Sequence, residues 1–129
     1  MQRSTTRSFF AGAAGALLVL AAAAVIVPQY GDYTARSRAS EALYFVRSVQ
    51  DQVEAQAIAH QSVSGSGVGI SSSSGPAVSE VLVLSNGVIL LRAAHFGQVF
   101  VLIPSYSEGK VAWHCIGGSS KDVPAKCRG

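Results

Sequence analysis

Three hydrophobic patterns follow one another along the chain. From Phe9 to Val27 nineteen residues pass without a charge, "FFAGAAGALLVLAAAAVIV". At a helical rise of about 1.5 Å per residue this run is roughly 28 Å long, close to the hydrocarbon thickness of a bilayer. After Pro28 the pattern turns amphipathic: Ala39, Ala42, Leu43, Val46, Val49, Val53 and Ala57 recur at three- and four-residue steps, as one face of a helix requires. Arg36, Arg38, Glu41, Arg47, Asp51 and Glu54 fall mostly at other angles. The spacing predicts a helix from near the membrane to about Ala59, kinked or softened at Pro28 and Gly31. Its apolar stripe is expected to pack on the rest of the domain.

The third pattern is short and strand-like. "VSEVLVL" (78–84), "VILLRAA" (88–94), "QVFVLIP" (98–104) and "VAWHC" (111–115) read as strands. Ser85-Asn86-Gly87 is the strongest hairpin signal, and "SYSEGK" (105–110) reads as a second turn. Between helix and strands, residues 61–77 are rich in serine and glycine, end in Gly75-Pro76, and read as a long surface connection. The expected fold is α+β: a long N-terminal helix, half membrane and half amphipathic, packed on a three- to four-stranded antiparallel sheet. The chain divides accordingly into a basic flank with its apolar helix (1–30) and a globular head (31–129).

Charge refines this picture. The chain of 129 residues carries a formal +3, but Arg3 and Arg7 stand alone before residue 32, with no acid. The remaining eight Lys and Arg face seven Asp and Glu, so the basic pI is no evidence for a strongly basic head. Arg3 and Arg7 just ahead of the apolar run predict a cytoplasmic N-terminus and export of the head. A cleaved signal ending near Ala21–Ala24 is the competing reading; it would release a free periplasmic binding module.

The two cysteines, Cys115 and Cys127, lie in the last fifteen residues. An isolated pair in an exported chain most simply forms one disulfide, for which chain entropy predicts about 3 kcal/mol of stabilisation. A metal is not expected there, because structural zinc takes four ligands and His114 is the one histidine nearby. His60, His95 and His114 sit on different elements without ligand spacing. No nucleophile elbow, phosphate loop or His-Glu metal signature occurs, so neither an enzyme nor a cofactor is expected.

Two segments resemble the type IV pilin family. "VPQYGDYTARSRASEAL" (27–43) is similar to the stretch by which pilin helices leave their apolar half, with Pro28, Tyr30, Tyr33 and the "ARS" of 35–37. "NGVILL" (86–91) and "VLIPSYSEGKVAWHCIGGSSKDVPAKCR" (101–128) resemble the pilin sheet and its disulfide-bounded loop. The likeness spans residues 28–128. It implies a single-pass inner-membrane protein whose apolar half-helix later packs with copies of itself or other pilins into an extracellular filament. Such filaments, or fimbriae, serve cell adhesion to host or abiotic surfaces, twitching motility, biofilm formation or DNA uptake. Small residues in the run suit both states, since alanine and glycine let backbones approach closely.

The resemblance departs at the N-terminus. Thr6-Arg7 stands where the family has its glycine–phenylalanine cleavage junction, and Ala11 where it has a glutamate. A main subunit and a minor or accessory one both remain open, with the departure leaning towards the latter. The loop Gly117, Gly118, Ser119, Ser120, Lys121 and Asp122 is expected to be the exposed feature of the head, with Trp113 buried beneath the sheet as an anchor. Lys110, Lys121, Lys126 and Arg128 form a candidate basic patch, and the alternative role it implies is a DNA-receptor minor pilin.

Overall fold

The computed structural model describes residues 31–71, 73–118 and 122–128. Thr34–Gly129 form one compact unit. The apolar run Phe9–Val27, with Arg3, Arg7 and Ala11, lies outside the described residues, as do Ser119, Ser120 and Lys121. No helix among the described residues is long and apolar enough to cross a membrane.

The expected long helix is not what the structure holds. Two short helices, α1 (residues 31–45) and α2 (Arg47–His60), meet at Val46. Val46 has φ −81° and ψ 0°, well off the helical ψ near −42°. Its N–H still reaches Ala42 O at 3.3 Å, but its carbonyl accepts from both Val49 and Gln50 at 3.0 Å. No proline or glycine marks the break. Val46 is fully buried in the middle of the apolar stripe, so the break is made inside the packed face and not at an exposed point. α2 closes with Gln61 in the left-handed region at φ 55° and Ser62 N–H donating to Ala57 O at 3.0 Å, a Schellman-type end.

The sheet is a four-stranded antiparallel meander in the order β1-β2-β3-β4. Its strands are β1 (Val78–Val83), β2 (Ile89–Ala93), β3 (Val99–Ser107) and β4 (Lys110–Ile116). Between β1 and β2, residues Ser85–Gly87 make the turn, with Leu84 N–H to Val88 O at 2.8 Å and Gly87 at φ 85°. A Cβ at Gly87 would collide with Ser66 Oγ and Val53, so glycine is needed there twice over. The second turn is shorter than "SYSEGK" suggested. β3 continues to Ser107, which pairs with Lys110, leaving only Glu108 (φ 51°) and Gly109 (φ 76°) to reverse the chain. β1 carries a bulge between Val78 and Glu80. The extra residue, Ser79, lets Val78 share the inner face with its partner Ala93.

The core lies between this inner face and the helices. Ala39, Ala42, Leu43, Val46, Val49 and Val53 meet Val78, Ile89, Leu91, Ala93, Phe100 and Leu102. Burying one such valine or leucine contributes about 1.5–3 kcal/mol. On the opposite face the cross-strand row Leu82, Leu90, Val101 and Ile116 runs over all four strands, with Leu82 55% exposed.

The connection after α2 is more ordered than its composition implied. Its first half is a series of turns in which Ser66 is fully buried, its hydroxyl donating to Val63 O at 2.6 Å. Gly67 N–H donates to Ser85 O at 3.1 Å, which ties the connection to the β1–β2 turn.

Candidate functional site

The C-terminal segment is built around one covalent bond. Cys115 and Cys127 form a disulfide with their Cα atoms 4.6 Å apart. Cys115 sits on β4 facing the helices, opposite Leu102 of β3. Cys127 ends a short 3-10 turn, Ala125–Cys127, and is fully buried. Backbone pairing completes the closure: Gly117 N–H donates to Cys127 O at 2.7 Å, and Gly118 makes a parallel bridge with Arg128.

Within the segment the structure separates two kinds of residue. Val123 is 3% exposed and belongs to the core cluster. Gly117 lies over Phe100, whose ring atoms a Cβ would approach to 2.5 Å. Gly118 is exposed at φ 102°, and Asp122 is half-buried, its carbonyl accepting from Gln98 Nε2 at 2.9 Å. Sequence reading missed the role of Val123, one apolar side chain in a polar stretch with no periodicity to reveal it.

The candidate basic residues occupy separate places. Lys110 opens β4 beside the tight turn, and roughly 17 Å of strand at about 3.3 Å per residue separates it from Cys115. Lys126 and Arg128 sit at the other end, in the return from the loop, where Arg128 Nη2 donates to Val123 O at 2.8 Å. Lys126 is drawn into a different group. Together with Tyr44 and Arg47 of the helices and Trp113, His114 and Cys115 of β4, it lines a crevice of about 290 Å3.

Trp113 is half-buried against the core, and its Nε1 donates to Glu54 Oε1 of α2 at 2.6 Å. That bond fixes the indole and ties β4 to α2. Arg47 read in the sequence as one of several charges mostly off the apolar stripe. It opens α2 and lines the crevice. The ion pairs among the described residues lie elsewhere, Arg38 with Glu41 at 3.2 Å and Arg92 with Glu80 at 3.5 Å. Tyr44 is 82% exposed, with little of its ring covered.

His60 ends α2, His95 lies in the β2–β3 connection and His114 faces outward on β4. Among the described residues no three of histidine, cysteine, aspartate and glutamate gather where they would hold a metal ion. No protein-family model matches the chain.

Proposed function

We propose that the protein is a type IV pilin-like structural subunit of an extracellular filament. In this reading Phe9–Val27 holds it in the inner membrane as a single-pass protein with its head in the periplasm. The same run then packs against other pilins in the filament core, and the head forms part of the surface used in adhesion, twitching motility or a related function. Main and minor subunits are both consistent with it, and the unusual residues at Thr6-Arg7 and Ala11 favour a minor one.

The observation that carries the reading is the way the head ends. Its last strand is stapled by Cys115–Cys127 to a return segment that adds Val123 and Cys127 to a core otherwise made of helix and antiparallel sheet. This is the feature on which the family resemblance is most specific. The amphipathic residues of α1 and α2 meet the needs of that core, which leaves the apolar run to lipid or to copies of itself.

The test tracks the intact chain in cells. It should appear in the inner-membrane fraction and in filaments sheared from the surface, with residues 9–27 retained by intact mass. Leu18→Arg should cost roughly 2.5–3.5 kcal/mol of insertion on translocon-based scales and deplete both fractions. A soluble periplasmic protein lacking the residues before about Val25 would overturn the reading in favour of a free binding module.

A further inference from the structure

β4 is an end strand, and its turn fixes its hydrogen-bonding sense. The two-residue turn at Glu108-Gly109 is closed by the pair Ser107–Lys110. In hairpins of this kind the closing pair is hydrogen-bonded, and hydrogen-bonded and non-bonded pairs then alternate. Lys110, Ala112, His114 and Ile116 therefore bond to β3, whereas Val111, Trp113 and Cys115 turn their backbone N–H and C=O groups away from it. Gly117 is next in the outward series, and its N–H is taken by Cys127 O at 2.7 Å. The tail thus occupies the Cys115–Gly117 end of the edge, with the Cα atoms of Cys115 and Cys127 4.6 Å apart, and leaves Val111 and Trp113 as the outward residues beside it.

The crevice of about 290 Å3 lies along this edge. Trp113, His114 and Cys115 are consecutive, with side chains on alternate faces, so a space they all line meets the rim of the strand and its backbone. The helix side of the crevice carries Tyr44 and Arg47, and Lys126 is also in its wall. Neither Arg47 nor Lys126 has an acidic partner among the described residues, and the nearby Glu54 accepts the Trp113 indole N–H. Unpaired edge strands are templates for another extended segment, with main-chain bonds supplying affinity and alternate side chains supplying choice.

We propose that the free edge of β4 takes up an extended, acidic peptide segment of a partner protein as a fifth strand of the sheet. Its backbone pairs with Val111 and Trp113. Its inward carboxylates, at alternate positions, meet Arg47 and Lys126, and its remaining inward side chain covers Tyr44. A nucleic acid fits this edge less well, because a phosphate chain offers acceptors but no N–H groups for the outward carbonyls. The inference stands on the head and does not depend on the filament reading.

The test uses the full chain in detergent micelles and a fluorescent, capped peptide of four Glu-Val repeats. Three controls accompany it: a Lys-Val peptide, a Glu-Val peptide N-methylated at alternate residues, and an oligothymidylate of equal charge. Saturable binding of the Glu-Val peptide alone is expected, with slowed amide exchange at Val111 and Trp113 and none added at His114. Arg47→Ala with Lys126→Ala should weaken binding roughly tenfold, the scale of two exposed ion pairs. Val111→Pro should abolish binding while leaving the helical and sheet signals intact, because proline there removes an outward N–H and no bond to β3. Equal binding of the Lys-Val or N-methylated peptide would overturn the proposal. So would preference for the oligonucleotide, absence of Glu-Val binding, or protection of the edge amides that rises with protein concentration alone.

Discussion

Two stretches of this chain are poor in apolar residues and rich in glycine and serine, and they are held in place by different means. The segment after β4 is secured by a disulfide, one buried valine and a backbone bond from Gly117 to Cys127. The connection after α2 has no covalent tie. It is pinned by the buried Ser66, by the Gly67 bond to Ser85, by the room that Gly87 leaves for Ser66, and by Ile70 and Ala77 against the core. Composition alone cannot place such segments, because a single well-placed anchor decides whether the backbone is ordered. The contrast also separates their cooperativity: the covalent anchor restrains the unfolded chain as well, whereas the hydrogen-bonded one acts only in the folded state.

The contrast can be broken from either side. Cys127→Ser should have the largest effect, about 2–4 kcal/mol lost in denaturant unfolding, since closure of the loop goes with it. Gly87→Ala should cost about 2–3 kcal/mol, because a left-handed φ and a collision with Ser66 and Val53 combine. Its effect should show as loosening of the connection, measured by proteolysis within residues 61–71. Val123→Ala should remove about 2 kcal/mol by leaving a small cavity beneath the disulfide loop, and its melting temperature should fall even with the disulfide intact. Ser66→Ala should be the mildest, about 1 kcal/mol, as one short hydrogen bond to Val63 O is deleted. A Ser66→Ala loss equal to that of Cys127→Ser would erase the distinction.

The same comparison shows what was legible in the sequence. Asn86-Gly87 announced its turn because glycine is needed where φ is positive, and the cysteine pair announced a bond. The second turn was also legible within "SYSEGK", but not its two-residue length, since a glutamate at φ 51° carries none of the usual turn chemistry. The break at Val46 was invisible for a related reason: a valine in perfect register with the apolar stripe gives no local sign of a ψ near zero. The break lies in the buried face, and the expected single helix failed there. Arg47 was lost with it, because a charge on a helix face reads as solvated until the facing strand is known. At the candidate site the disulfide was readable, but the crevice beside β4 was not. It needs strand order, register and the helix break together.

The most direct measurement is native-state amide exchange at two glycines, with and without reductant. Gly117 donates to Cys127 O, and Gly67 donates to Ser85 O. If the covalent bond is the main hold on one segment and non-covalent contacts hold the other, reduction should bring Gly117 to the exchange rate of an unstructured peptide. Gly67 should remain measurably protected. Loss of protection at both glycines together, or at neither, would contradict the account.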